Sequence, residues 1–260
     1  YINKIMYRKL KLMFLAASLM LAAGASAQTR VISHRGYWTP AGSAQNSITS
    51  LNGANRLGAY GSEFDVHITK DGVVMVNHDR VLPDGTNIEL ANYKKLRKET
   101  LSNGEKLPTF RQYLRVGKKL NGTQLICEIK AHITDGAEDR CIDSVLNSVK
   151  QEGMEKQVEY ISFSKNACQY LVRHTSAGTK ISYLDGDLTP AQCKAMGCTG
   201  IDFNEMVYAG HPSYISDAHR LGMTVNVWTV DDLNQMEEFI KVGADFITTN
   251  KPVEALKLCK

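Results

Sequence analysis

The sequence predicts a closed barrel of eight parallel β-strands with helices packed around it, and three observations predict it. First, a polar amphipathic stretch, a glycine and a short β-rich run recur as one unit: 55–58 before 62–66, 195–197 before 200–203, 219–222 before 224–228, and 241–243 before 244–248. Glycine just past a helix end supplies the left-handed cap that turns the chain into a strand, so the repeat reads as βα units on a parallel sheet. Second, β-rich runs fall at 30–35, 62–69, 124–130, 157–163, 180–185, 200–204, 224–230 and 245–249, with helical patterns such as 137–151 and 232–242 between them. Third, no Pro/Ser linker or low-complexity stretch interrupts residues 28–260. Eight such units in one domain favour closure into a TIM-type (β/α)₈ barrel, with an open doubly wound sheet as the alternative.

Residues 1–27 are set apart from this domain. Lys4, Arg8, Lys9 and Lys11 precede an apolar block, 13–23, which ends in Gly24-Ala25-Ser26-Ala27. A basic front, a short apolar run and an A-x-A ending are expected to be a cleavable secretory signal, cut between Ala27 and Gln28, with Met6 as the natural start. The block is too short to read as a membrane span, and no cysteine stands at the cut to carry a lipid. The expected destination is the periplasm or the medium, with no stable membrane anchor. The leader holds four of the 31 Lys+Arg and no acidic residue, which leaves 27 against 27 Asp+Glu. The basic balance therefore belongs to the leader, and no nucleic-acid partner is expected. An oxidising compartment would let some of the six cysteines pair, Cys193 and Cys198 being the nearest couple in sequence.

One element breaks the βα rhythm. The second strand runs into Asp71-Gly72 and then into another β-branched run, 73–79. Asp-Gly between two such runs is a strong hairpin signal, so a small β-hairpin extension is expected after that strand. A two-residue turn pairs Lys70 with Val73 and sets Asp65 opposite His78.

The chemistry gathers where a barrel of this kind carries it, at the C-terminal ends of the strands. The first strand ends in His34-Arg35, the second carries Glu63 and Asp65, the hairpin adds His78, the third ends in Glu128 and Lys130, and a later one in Trp228. Residues two apart share a strand face, so Glu63 with Asp65 and Glu128 with Lys130 point the same way. Three carboxylates at one mouth repel unless a cation sits among them, and oxygen ligands favour Ca²⁺ or Mg²⁺ over zinc.

Taken in order, His34-Arg35-Gly36, Glu63-x-Asp65, Thr69-x-Asp71-Gly72, His78-Asp79, Glu128-x-Lys130, Val227-Trp228-Thr229 and the ending 243–252 resemble the glycerophosphodiester phosphodiesterase family over nearly all of residues 28–260. The resemblance implies a metal-dependent phosphoric diester hydrolase acting on a small-molecule phosphodiester. It implies Glu63, Asp65 and Glu128 as metal ligands and His34 and His78 as the acid–base pair, read here as base and acid respectively. It further implies Arg35 and Lys130 as phosphate contacts and Trp228 as an aromatic at the substrate mouth. The chain departs from the family at Gln45, where the pattern Glu-Asn is usual; a neutral amide there still reaches Arg35 but removes a negative charge.

Blander readings stand beside these. Trp228 reads equally as core packing, His67 as a solvated residue near the turn, His132 as a loop residue, and His174, His211 and His219 as surface residues. Glu205 reads as a rim residue without a role. Competing functions are a phospholipase-D-like action on intact lipids, for which no apolar lip is evident, and a phosphodiester-binding protein with lost turnover. A glycosidase using Glu128 and Glu205 leaves His34, Arg35, His78 and Lys130 without work.

Overall fold

Strand residues alternate strictly between two environments, and that alternation explains the architecture. Phe64, Val66, Leu125, Cys127, Val158, Tyr160, Ile201, Phe203, Val225, Val227 and Ile247 face outward into a layer shared with the helices. Their neighbours face inward, where Ile32, Ile126, Ile161, Leu184 and Phe246 form a separate small core. The computed structural model describes residues 28–260, so the expected leader over 1–27 lies outside the described residues.

Eight parallel strands close the barrel: β1 (Arg30–Ser33), β2 (Gly61–Ile68), β4 (Gln124–Ile129), β5 (Val158–Ser162), β6 (Ile181–Tyr183), β7 (Gly200–Asn204), β8 (Thr224–Trp228) and β9 (Phe246–Thr249). Each falls within one residue of, or inside, the run expected for it. Pairing of β1 with both β9 and β2 completes the ring. The expected helices appear as Asp135–Glu152 and Leu233–Lys241. All four predicted cap glycines, Gly58, Gly197, Gly222 and Gly243, hold positive φ. The six cysteines are buried and unpaired, so Cys193 and Cys198 form no disulfide; each thiol instead packs in the layer between barrel and helices.

The hairpin is present but its register differs from the expectation. Strand β3 (Val74–Val76) pairs antiparallel with β2, with Val66 opposite Val76 and Ile68 opposite Val74. The loop therefore holds three residues, Lys70-Asp71-Gly72, not two. Gly72, at φ 86°, takes the left-handed position that closes a three-residue loop. The Thr69 carbonyl accepts the Gly72 N–H, and Asp71 accepts both the Thr69 hydroxyl and the Tyr93 N–H. Asn77, not His78, is set against Asp65: its N–H donates to the Asp65 carbonyl at 3.0 Å.

The extension is also larger than a hairpin. After β3 the chain makes a 3-10 turn (Ile88–Leu90) and a short helix (Tyr93–Leu96) before returning to the barrel. Met75, Leu82, Ile88, Leu96 and Leu107 give this excursion a core of its own.

Candidate active site

At the C-terminal mouth, the inward positions of β2 and β4 carry acids. Asp65 lies directly across the strand pair from Glu128, and Glu63 is one inward position deeper. Glu63, Asp65 and Glu128 are 3 %, 1 % and 7 % exposed. One carboxylate oxygen from each falls within 4.8 Å of the others. Carboxylates taken out of water at this spacing push one another's protonation upward. Burial drives Glu63 well above the usual carboxylate range, and Asp65 and Glu128 drive it further. Burial and then Asp65 push Glu128 up to about 8. Asp65 ends on the other side: burial raises it, but Lys130, His78, the Asn46 hydrogen bond and Arg35 together hold it at about 2.

Two cations stand against this cluster. Lys130 Nζ sits 3.2 Å from Asp65 and 2.8 Å from Glu128, and those two charges raise its ammonium against the opposing effect of burial. Arg35 follows β1 in a left-handed conformation, at φ 54°, which aims its N–H at Glu63 Oε2 (2.8 Å). Gly36 makes this turn feasible: a Cβ there would lie 2.4 Å from the Ser50 hydroxyl. The guanidinium donates to Gln45 at 2.7 Å, so the amide at the departing position keeps the contact expected of it. Glu63 Oε1 is buried and takes no hydrogen bond from the described residues. A buried carboxylate oxygen left without a donor is the position a cation fills, and the all-oxygen donor set suits a hard divalent ion.

The two histidines flank the acids. His34 Nδ1 lies 2.9 Å from Asn250 Oδ1, an atom that only accepts, so Nδ1 carries the proton and Nε2 keeps a lone pair. Burial, then Arg35, lowers its pKa to about 4. Asn250 is itself fixed, since its amide and its backbone N–H donate to the two oxygens of Asp231 at 2.8 Å each. His78 enters from the excursion beyond β3 and is more open; its Nδ1 meets Asp79 at 2.8 Å. Burial lowers its pKa, with Asp65 opposing. The pocket between them has apolar lining as well as charged: Ile161, Phe163, Leu184 and Trp228 contribute to it, and the Lys130 ammonium lies 6.0 Å from the Phe163 ring centroid. Trp228 is half-buried, packs edge-on against Phe163 and donates its indole N–H to the Asp202 carbonyl, so it serves both packing and the lining.

All eight residues singled out in the sequence thus meet at one mouth. Sequence reading missed their supports. Asn46, in a left-handed conformation, donates to Asp65 Oδ2 at 2.9 Å and accepts the Asp65 N–H at 3.2 Å. The Asn-x-Pro ending that contains Asn250 was the available signal for the His34 partner. His67 needs correction: it is 2 % exposed rather than solvated, because the 3-10 turn folds over it. His132 does stand in the loop after β4, half-buried, where it accepts the Ile68 N–H and donates to the Lys130 carbonyl. Glu205 does stand at the rim, half-buried, with burial raising its pKa.

Fold and site together define a class, a (β/α)₈-barrel hydrolase whose chemistry sits at the C-terminal mouth. Comparison with known proteins narrows it. Residues 34–254 match the sequence model of the Glycerophosphoryl diester phosphodiesterase family, and the chain belongs to that family of phosphoric diester hydrolases. A glycerophosphodiester phosphodiesterase crystal structure from Parabacteroides distasonis is 46 % identical, with a TM-score of 0.88 over 90 % of this chain and 98 % of that one. The glycerophosphodiester phosphodiesterase of Caldanaerobacter subterraneus is 29 % identical over 254 residues, 90 % of this chain and 98 % of its own. An Oleispira antarctica phosphodiesterase, solved with the product sn-glycerol-3-phosphate, shares the fold at 20 % identity and a TM-score of 0.75, covering 89 % of this chain and 96 % of its own.

Proposed function

We propose that this chain hydrolyses glycerophosphodiesters to glycerol phosphate and an alcohol, with a divalent cation held by Glu63, Asp65 and Glu128. The observation that carries this reading is the undonated Glu63 Oε1 inside a three-carboxylate cluster that shares its mouth with two histidines. A bound Ca²⁺ or Mg²⁺ supplies positive charge for the non-bridging phosphate oxygens. Arg35 and Lys130 add to it from the chain itself, and Lys130 orients the substrate against the charged lining while Trp228 and Phe163 exclude water from the apolar part.

His34 is the base. Held by Asn250 with Nε2 unprotonated, it removes the proton of the attacking oxygen at neutral pH. His78 is the acid: it stands on the open side beside Asp79, where a proton delivered to the leaving alkoxide is replaced from solvent. The product bound by the Oleispira relative supports glycerol phosphate as the shared half of the substrate. We further propose that residues 28–260 act as one exported domain after loss of 1–27. The partner is a small molecule, not a nucleic acid or a membrane; among the described residues no helix is long and apolar enough to cross a bilayer.

The test is release of glycerol phosphate from a panel of glycerophosphodiesters, with chelator and with Ca²⁺ or Mg²⁺ restored. Chelator-sensitive release establishes the reaction, and the better-restoring ion names the metal. Binding without release under every ion would leave a phosphodiester-binding protein in its place. N-terminal sequencing of the exported protein should begin at Gln28; retention of 1–27 would count against the leader.

A further inference from the structure

A second group of ionisable side chains lies just behind the mouth and takes no part in the chemistry above. His67 projects from β2 between the excursion and the exit of β4. Its Nε2 is 3.1 Å from the His78 carbonyl, which only accepts, so Nε2 carries a proton and donates it. On the other side, Nδ1 is 3.8 Å from Glu89 Oε1 on the 3-10 turn. Glu89, 8 % exposed, is fixed in turn: its Oε2 accepts the Ile133 N–H at 2.9 Å, and Arg80 Nε lies 2.6 Å from Oε1. Arg80 also donates to the Ala131 carbonyl. Beside this, His132 donates to the Lys130 carbonyl at 2.6 Å. A buried histidine and a half-buried one therefore grip the main chain of the two residues, His78 and Lys130, whose side chains face the pocket from these segments.

Two histidines and a glutamate so close also have the make-up of a metal site. Their contacts argue otherwise. Arg80 already neutralises the carboxylate oxygen that would ligate, and His132 Nε2 is committed to the Ile68 N–H at 3.1 Å.

We propose that His67 is a positioning residue for the reaction: through its hydrogen bond to the His78 carbonyl, and seated by Glu89, it fixes where the leaving-group acid stands. The inference rests on the reading of His78 given above. The physical need is plain. His78 is carried by a segment outside the barrel ring, whose last main-chain contact with β2 is the Asn77 N–H on the Asp65 carbonyl, and a catalytic group displaced by about 1 Å loses about 10²-fold in rate. Beyond Asn77, the His67 contact to the His78 carbonyl is what holds the imidazole at the leaving oxygen.

The test pairs two substitutions. His67→Phe fills the space but cannot donate, whereas His67→Gln keeps an N–H near the position of Nε2. In His67→Phe, kcat should fall about 10- to 100-fold, the usual cost of removing a second-layer support, with KM and metal affinity little changed. His67→Gln should recover most of that loss. Equal losses in the two variants, or wild-type kcat in folded His67→Phe, would overturn the proposal. Nuclear magnetic resonance tests the contact without turnover or a foldable variant: long-range ¹H–¹⁵N spectra of the wild type should show His67 protonated at Nε2, and an unprotonated Nε2 would overturn it. Stoichiometric zinc binding retained in Glu63→Gln but lost in His67→Gln would overturn it in favour of a metal site. Should the wild type release no glycerol phosphate, the proposed reaction fails, and the spectra still decide whether His67 holds His78.

Discussion

The two ends of this barrel handle charge in opposite ways, with exposed and half-buried groups at one end and buried acids at the other. At the N-terminal end, the Arg30 guanidinium lies 4.0 Å over the Tyr60 ring and 4.5 Å over Phe246, and Lys180 lies 2.7 Å from both Glu159 and the Tyr60 hydroxyl. Tyr60 also donates to Glu159, so Tyr60, Glu159 and Lys180 are bonded to one another. At the C-terminal end, three acids share two cations and one carboxylate oxygen is left without a donor. The first arrangement is complete as it stands and closes the floor. The second is complete only with something added, and that difference separates the stabilising face of the barrel from its reactive one.

The largest expected effect breaks the comparison at the reactive end. Glu63→Gln should lower kcat/KM by about 10³-fold or more, since loss of a ligand weakens charge stabilisation worth several kcal/mol. The same change should leave the metal-free protein no less stable in a melting experiment, because it removes a buried repulsion. A marked loss of stability would mean that Glu63 is structural. His34→Ala should come next, lowering kcat by about 10²- to 10⁴-fold. Its kcat/KM profile in the wild type should hold down to acid pH, since the base stays unprotonated until about 4; an acid limb near 6.5 would argue against His34 as base.

The floor should answer in the other currency. Glu159→Gln removes the ion pair with the half-exposed Lys180 and should lower the melting temperature by about 1–2 °C, for about 0.5 kcal/mol, while activity stays near the wild type. An activity loss larger than the stability loss would erase the contrast between the two ends.

A further effect on stability sharpens it through pH. Glu128 is raised from 4.5 to about 8, so between those values the folded state holds a proton that the unfolded chain has released. Stability contributed this way is present at low pH and lost as pH rises toward 8. Melting in chelator should therefore occur lower at pH 8.5 than at pH 6, and an added divalent cation should narrow the gap. A chelated protein that gains stability over that interval would contradict the burial described for Glu128.

What was legible in the sequence follows the range of the interactions. The eight strands were legible because period-two alternation and a glycine cap are local. The eight mouth residues were legible because they stand at strand ends, where the topology must deliver them. The supports were not. Asn46 meets Asp65 nineteen positions on, Asn250 meets His34 across 216 positions, and Glu89 covers His67 only after the excursion has folded. The hairpin register failed by one residue for a local reason: Asp-Gly reads as a two-residue turn, but the Thr69 hydroxyl accepts the Val73 N–H and favours a three-residue loop ending at Gly72.

The excursion that carries His78 interrupts no barrel hydrogen bond, because β2 pairs directly with β4 from Gly61 through Val66. Ring and excursion therefore pair separately, although Val74 and Val76 of β3 also enter the main core. The ring keeps the carboxylates, His34, Arg35 and Lys130, while the proposed leaving-group acid arrives on a cassette with its own small core. Exchange of that cassette between relatives offers a route to new alcohol preferences with the ring unaltered, and its loss would turn a hydrolase into a receptor for the same anion.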